Sequence, residues 1–154
     1  MKLIAHRGLT DGPDSNLENH PNQIELTLLQ GFDCEIDLWV INSDLYLGHD
    51  GPTYLIDNKF LEKYGLWIHA KNLGALHWLT NTGLCYFWHE TDKFTLTSNN
   101  FIWTYPGNEL THRSISVLPE WNDLEFKNIS NICYGICSDY VNILKQNLDK
   151  KIIS

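Results

Sequence analysis

The chain has 154 residues, of which 43% are hydrophobic and 19% are charged, a composition typical of one globular domain with its own core. Its formal net charge of −8 argues against nucleic acids and acidic membrane surfaces as partners, because these select basic proteins. Apolar runs are all much shorter than a membrane-spanning helix, so we expect no membrane insertion. We therefore expect a single domain over residues 1–154.

Helical and strand-like patterns alternate along the chain. Short apolar runs, each long enough for one strand, occur at residues 2–5, 32–41, 66–68, 85–88, 101–103, 114–118 and 134–137. Apolar residues at helical spacing occur at residues 22–30, 57–64, 73–79 and 141–148. Pro21 suits the first position of the first of these helices, and Gly31 and Gly65 follow the first two as stop signals.

Cysteine usage and the start of the chain both favour a cytoplasmic protein. The cysteines lack the spacing of a zinc site, and we interpret all four as reduced core residues: Cys34, Cys85, Cys133 and Cys137. Met1 and Lys2 lead directly into the first predicted strand, so we expect no signal peptide.

The stretch from Phe32 to Asp50 carries the strongest functional pattern. Glu35 and Asp37 are two residues apart in a predicted strand, so their side chains leave the same face. Two like charges on a buried face are costly unless a cation or hydrogen bonds neutralise them, and divalent metals prefer carboxylate oxygens. A predicted hairpin then returns His49 towards these carboxylates. The alternative is two exposed acids on an edge strand beside a surface histidine.

Most of the apolar runs end in polar, potentially reactive residues. Those that form a coherent set are His6, Arg7, Glu35, Asp37, His49, His69 and Lys71. Apolar strands separated by helices indicate a covered parallel sheet, and polar residues at the strand ends are typical of the mouth of a (β/α) barrel. The sequence therefore predicts an α/β fold in the form of a compact TIM-type (β/α) barrel. Because such barrels usually need about 250 residues, we expect several of the outer helices to be shortened or missing. An open sheet is the alternative.

Four short motifs in the first fifty residues resemble one enzyme family in their order and spacing. They read I-A-H-R-G at residues 4–8, L-E-N-H-P at 17–21, C-E-I-D-L at 34–38 and L-G-H-D at 47–50. The chain resembles the glycerophosphodiester phosphodiesterase family, within the phosphatidylinositol phospholipase C-like phosphodiesterases. This resemblance implies a TIM-type barrel that hydrolyses phosphodiesters.

The resemblance also implies a role for each matching residue. His6 and His49 would be the acid/base pair, and Arg7 would hold the phosphate together with Lys71. Glu35 and Asp37 would bind Mg²⁺ or Ca²⁺, while Glu18 and Asn19 would support the site. The family's third metal carboxylate falls where this chain has His69, so we expect His69 to be the third ligand and Mn²⁺, Co²⁺ or Zn²⁺ to be accepted as well.

The sequence therefore predicts a metal-dependent phosphoric diester hydrolase acting on a small glycerophosphodiester-like or sugar phosphodiester. Either water or a neighbouring hydroxyl of the substrate could attack the phosphorus. The alternative is a non-catalytic phosphate- or sugar-phosphate-binding module that keeps the geometry of the site. Missing outer helices would leave apolar strand faces exposed, and formation of a homodimer is one way to cover them.

Overall fold

The computed structural model describes residues 1–122 and 129–153, which are organised around one curled sheet. The described strands, in chain order, are β1 (Lys2–Ala5), β2 (Asp33–Ile41), β3 (Asp44–Leu47), β4 (Tyr54–Ile56), β5 (Leu66–Ala70), β6 (Tyr86–Phe87), β7 (Phe94–Leu96), β8 (Ile102–Thr104), β9 (Ser114–Val117) and β10 (Gly135–Ser138). The described helices are α1 (Pro21–Leu29), α2 (Asn58–Leu61), α3 (Leu73–Leu79) and α4 (Val141–Ile153), with 3₁₀ turns at His6–Gly8 and Pro119–Asn122. No helix in this described part of the chain is long and apolar enough to cross a membrane.

The sheet is mixed, with β2 at its branch point. Its main order is β4-β3-β2-β1-β10-β9-β8-β7, while β5 also pairs with β2 and β6 pairs with β5. Cys34 pairs with Ala5 of β1 and with Leu66 of β5, so β1 and β5 lie on opposite sides of β2. Strands β6, β5, β2, β1, β10, β9 and β8 run parallel, whereas β3, β4 and β7 are antiparallel to their neighbours. The whole sheet curls into a half-barrel.

The predicted TIM-type (β/α) barrel is wrong. The helices are few and mostly short, and they do not alternate regularly with the strands. No helix separates β6 from β7, β7 from β8 or β8 from β9 in these fully described segments, because residues 88–93, 97–101 and 105–113 leave too little chain for a crossover helix. The short connection from β7 to β8 instead makes an antiparallel pair. Strands β4 and β7 lie where the sequence predicted no strand.

Several hydrogen bonds link the end of the sheet at β6 to the end at β7. The Thr95 hydroxyl donates to the Trp88 carbonyl at 2.8 Å, and the Ser98 amide donates to the Tyr86 carbonyl at 2.8 Å. Within the described residues these bonds do not form a regular ladder. They nevertheless hold the curled sheet around its concave face.

Alternation along the strands separates two apolar clusters. The convex face packs against α1, α3 and α4 through a cluster that includes Ala5, Ile24, Cys34, Ile36, Ile68, Ala75, Leu79 and Val141. The concave face holds a second cluster of bulky side chains, Ile4, Trp67, Phe87, Trp103, Ile115, Val117, Leu118 and Cys137. Burying each large aliphatic side chain contributes about 1.5–3 kcal/mol. The second cluster fills one end of the concave interior, and polar residues occupy the other end, where the parallel strands have their carboxyl ends.

The predicted hairpin between β2 and β3 is confirmed. Asn42 and Ser43 both have positive φ, 50° and 73°, between the paired residues Ile41 and Asp44. Two central residues with positive φ are typical of a type I′ turn, whose twist matches that of the flanking strands. The Gly48 amide then donates to the Asp37 carbonyl at 3.2 Å, so the residues after β3 lie beside the acidic end of β2.

The cysteines are free, as the sequence predicted. Cys34 is buried in the convex cluster and Cys137 in the concave cluster, Cys133 is buried in a small third cluster with Ile129 and Ile136, and Cys85 is half-buried. Burial raises the pKa of Cys85 to about 12, so this thiol stays protonated near neutral pH.

Candidate active site

One cavity of about 370 Å³ opens at the carboxyl ends of the central strands. It collects the residues that the sequence singled out from four separate segments: His6, Arg7, Glu35, Asp37, His49, His69 and Lys71. Glu18 and Asn19, which were predicted to support the site, lie behind it and bond to its members. The sequence therefore predicted which residues meet, although it did not predict the shape of the sheet that brings them together.

The carboxylates and His69 meet through the register of β2 against β5. Glu35 pairs with Trp67 and Asp37 pairs with His69, and all of these side chains leave the concave face. Nδ1 of His69 lies 3.0 Å from Oδ1 of Asp37 and 3.9 Å from Oε1 of Glu35. The predicted common face of Glu35 and Asp37 is thus confirmed, with Cys34 on the other side in the convex cluster.

The environment drives the two carboxyl pKa values apart. Burial raises the pKa of Glu35, and the neighbouring charge of Asp37 raises it further. Burial acts on Asp37 in the same direction, but the hydrogen bond with His69 and the charges of Lys71 and Arg7 hold its pKa below the usual range. Asp37 is therefore the carboxyl group that ionises first, and ionisation of Glu35 costs free energy.

Asn19 fixes Asp37 from behind. Its side-chain NH₂ donates to Oδ2 of Asp37 at 2.8 Å, and its side-chain oxygen accepts from the Asp37 amide at 2.8 Å. Asn19 is fully buried and has a φ of 57°, a conformation that asparagine tolerates better than most residues. The predicted supporting role therefore has a defined geometry.

Asn19→Ala is expected to destabilise the fold by roughly 2 to 4 kcal/mol, because two buried partners on Asp37 lose their hydrogen bonds and one of them is charged. Denaturant unfolding of the metal-free protein measures this loss. Asn22→Ala is the control, since Asn22 is exposed on α1 and its substitution should change the free energy of unfolding by less than about 0.5 kcal/mol. Equal stability of the two variants would contradict the structural role of Asn19.

Arg7 joins the first loop to both carboxylates. Its backbone amide donates to Oε2 of Glu35 at 3.1 Å, and Nη1 donates to Oε2 of Glu18 at 2.7 Å. Nε lies 3.5 Å from Oδ2 of Asp37, yet this buried nitrogen makes no hydrogen bond within the described residues. The guanidinium is therefore held in place at the cavity without being fully satisfied by protein groups.

His6 has a partner that the sequence analysis missed. Its Nδ1 lies 2.8 Å from Oδ1 of Asp139, which leaves Nε2 as the nitrogen available for proton transfer. Burial alone would lower the pKa of His6, but the hydrogen bond with Asp139 and the charge of Glu35 raise it above its usual value. Glu120 in turn accepts hydrogen bonds from the Asp139 amide and from the Ser138 hydroxyl. The available signal was that Ser138-Asp139, like His6-Arg7, directly follows an apolar strand.

Asp139→Asn is expected to lower the pKa of His6, because the substitution removes the charge that favours the imidazolium ion. Proton NMR titration of the His6 ring measures the shift, with His6→Ala to assign the resonance. The linked stabilisation is fully present below the unfolded pKa of about 6.5 and is lost as the pH rises through the higher folded pKa. Asp50→Asn, next to His49, should leave His6 unchanged. A His6 pKa that does not fall in Asp139→Asn would contradict the pairing.

His49 reaches the cavity on the loop after β3, as predicted. Its Nδ1 lies 2.7 Å from Oδ1 of Asp50, whose side chain is 94% exposed, and the histidine itself is half-buried. His49 is therefore the more accessible of the two histidines proposed for proton transfer. Lys71, at the end of β5, places Nζ 3.4 Å from Oδ1 of Asp37.

Aromatic side chains also line the cavity. They are those of Trp88, Trp103, Tyr105 and Trp121, together with the ring of His89. The His89 ring lies 5.2 Å from the His69 ring and 6.0 Å from the Tyr105 ring, between centroids. Burial and the nearby His69 lower the pKa of His89. The cavity is therefore lined by aromatic as well as charged side chains.

The donor set of the cavity fits a divalent cation. Glu35, Asp37 and His69 each offer one ligand atom, and these three atoms lie within 4.8 Å of one another. Carboxylate oxygen and imidazole nitrogen are common ligands of divalent metals. A cation is not the only source of neutralisation, because Arg7 and Lys71 already offset part of the charge of Asp37. Glu35 lacks a comparably close lysine or arginine side chain in the described residues.

The fold and the site together describe a mixed half-barrel that carries a histidine–carboxylate cavity at the ends of its parallel strands. Comparisons with protein-family models, with curated proteins and with solved structures find no match for this chain. The function is therefore argued from the geometry of the cavity and from the short motifs of the sequence.

Proposed function

We propose that this chain is a phosphodiesterase that hydrolyses a small, glycerophosphodiester-like or sugar phosphodiester with the help of a divalent cation. The observation that carries the proposal is the convergence in one cavity of two histidines, a Glu–Asp–His donor group and the cations Arg7 and Lys71. The short motifs that resemble the glycerophosphodiester phosphodiesterase family support the same chemistry, with residues of those motifs in this cavity.

The two histidines divide the proton transfers. Asp139 holds His6 through Nδ1, so Nε2 can take a proton from the attacking group or return one to the leaving group. His49, which lines the same cavity, supplies the complementary transfer. Either water or a neighbouring hydroxyl of the substrate can serve as the attacking group, and the second would pass through a cyclic phosphate.

The remaining residues bind and polarise the phosphoryl group. Arg7 and Lys71 offset negative charge on the phosphoryl oxygens, which increases in the transition state. Glu35, Asp37 and His69 would hold a divalent cation, which when bound supplies Lewis-acid polarisation of a non-bridging phosphoryl oxygen. One alcohol group of the diester would pack against the aromatic side chains that line the cavity.

A phosphate- or sugar-phosphate-binding module without catalysis is the second candidate. The observation that favours it is that Arg7 and Lys71 lie 3.5 Å and 3.4 Å from Asp37. They reduce the need for a metal and leave the cavity able to attract an anion. This candidate predicts that inorganic phosphate binds to the metal-free protein.

A panel of phosphodiesters followed by ³¹P NMR tests the proposal. The panel pairs diesters that have a hydroxyl next to the phosphate with matched diesters that lack it, each with Mg²⁺, Ca²⁺, Mn²⁺, Co²⁺ or Zn²⁺ and with a chelator. We expect hydrolysis that the chelator abolishes and the cation restores. A cyclic phosphate seen only with the first group would identify attack by the hydroxyl. Phosphate binding without turnover of any diester would overturn the catalytic proposal in favour of the binding module.

A further inference from the structure

The imidazole of His69 faces a hydrogen-bond acceptor at each ring nitrogen. Nε2 lies 3.1 Å from the backbone oxygen of His89, and Nδ1 faces the carboxylates of Asp37 and Glu35 at 3.0 Å and 3.9 Å. A backbone carbonyl can only accept, so Nε2 must carry a proton. Nδ1 points at the oxygens of Asp37 and Glu35, where it either donates a proton to a carboxylate or shares a bound cation with both.

Packing holds this ring in its orientation. The His69 ring stacks on the Phe87 ring, with centroids 5.0 Å apart and planes 9° apart, and it also stacks on the His89 ring. The register of β5 against β6 sets the first contact, because His69 pairs directly with Phe87. The side chain is only 12% exposed. The orientation of Nδ1 towards the two carboxylates is therefore fixed by packing.

The separations suit one ion shared by three donors. Ligand atoms about 2.1 Å from a common metal lie about 3.0 Å apart at a right angle and about 3.4 Å apart at a tetrahedral angle. The observed 3.0 Å between Nδ1 and Asp37 matches the right-angle value, and the 3.9 Å to Glu35 exceeds the tetrahedral value by about 0.5 Å. All three donor atoms lie within 4.8 Å of one another.

We propose that His69 is a direct metal ligand through Nδ1, that the backbone carbonyl of His89 sets its tautomer, and that the site therefore prefers Mn²⁺, Co²⁺ or Zn²⁺ to Mg²⁺ and Ca²⁺. This inference rests on the cation of the proposed function. A carbonyl bonded to the second nitrogen of a ligating histidine is the common way in which proteins orient such a ligand. A neutral nitrogen in place of a third carboxylate lowers the negative charge of the donor set, which weakens hard cations most.

Metal titrations of the full chain, stripped of metal beforehand, test the inference without reference to activity. Calorimetry measures the dissociation constant for each cation, and the visible absorption of Co²⁺ reports its ligands. The wild type is expected to bind Co²⁺ at least about tenfold more tightly than Mg²⁺. His69→Glu should tighten Mg²⁺ and reduce this ratio, and His69→Gln should weaken Co²⁺ by at least about tenfold while changing Mg²⁺ less.

His89→Phe is the matched control, because it keeps both the backbone carbonyl and a stacking ring while removing the other nearby imidazole. It should keep the metal preference of the wild type. An unchanged preference in both His69 variants, with thermal unfolding showing that they are folded, would overturn the assignment. Loss of Co²⁺ binding in His89→Phe would transfer the ligand to His89 and overturn it as well.

Failure of this inference can be separated from failure of the proposed function. Diester hydrolysis by a wild type whose metal preference does not depend on His69 would remove the ligand assignment and leave the phosphodiesterase. Tight, His69-dependent Co²⁺ binding without turnover of any diester would keep the metal site and overturn the enzyme. A wild type that binds none of the cations would overturn both.

Discussion

Glu35→Gln and Asp37→Asn are each expected to abolish cation binding and diester hydrolysis together. The two carboxylates share the concave face of β2 with His69 close to both, so either substitution removes a charged ligand from a set of three. Loss of an outer partner of a metal site already weakens binding by roughly 10- to 100-fold, and loss of a direct ligand should exceed this. Calorimetric titration measures the binding, and the ³¹P assay measures the turnover.

Asp33→Asn is the matched control for this pair. Asp33 lies on the same strand and the same face, but it bonds to Trp67 and Lys2 at the other end of the half-barrel. Its substitution should leave the dissociation constant of the cation unchanged. Cation binding by Glu35→Gln as tight as that of the wild type would show that Glu35 is not a ligand.

The same two variants should change the stability of the metal-free protein in opposite directions. Because the folded pKa of Glu35 is raised, its ionisation costs stability at pH values above its unfolded pKa of about 4.3, and Glu35→Gln removes that cost. Because the folded pKa of Asp37 is lowered, its ionisation contributes stability above its unfolded pKa of about 3.9, and Asp37→Asn loses it. Denaturant unfolding at pH 7 with a chelator measures both.

His49→Ala is expected to lose most of the turnover while it keeps the affinity for the cation, since His49 is proposed for proton transfer and not as a ligand. Positioned acids and bases usually contribute about 10²- to 10⁴-fold to the rate. With His6 in the complementary role, the wild type should show a bell-shaped pH dependence of kcat/KM. Because the pKa of His6 is raised, the limb that it controls should lie at higher pH than for an unperturbed histidine, and Asp139→Asn should move this limb to lower pH.

His77→Ala is the control for the histidine series, because His77 is exposed on α3 away from the cavity. A diester with a good leaving group should recover part of the lost rate in the variant that lacks the general acid, which assigns the two roles. Near-normal turnover of a diester with a poor leaving group by His49→Ala would exclude His49 as acid or base.

Local sequence patterns were enough to predict much of the candidate site. Glu35 and Asp37 share a face because side chains alternate along any strand, and His69 and Lys71 share one for the same reason. The turn at 42–43 is set by residues that accept positive φ. Each of these features depends on neighbours within a few positions of the chain, which is why they could be predicted without the fold.

The tertiary structure alone decided the pairings between distant segments. His6 and Asp139 are 133 positions apart, and they meet because β1 lies beside β10 in the register that pairs Ala5 with Ser138. The register of β2 and β5 likewise places His69 opposite Asp37. A one-residue slip in either register would turn the side chains of one strand to the other face, so local alternation alone cannot identify the partners.

The course of the sheet was also beyond local prediction. The sequence predicted that several outer helices are shortened or missing, but the predicted barrel kept its strands parallel. In the structure, the short connection between β7 and β8 makes an antiparallel pair, and the sheet closes only as far as a half-barrel. Chain length and apolar patterning by themselves predicted one domain and strands that end in polar residues. Strand direction and curvature depended on hydrogen-bond pairing across the whole sheet, which no single segment encodes.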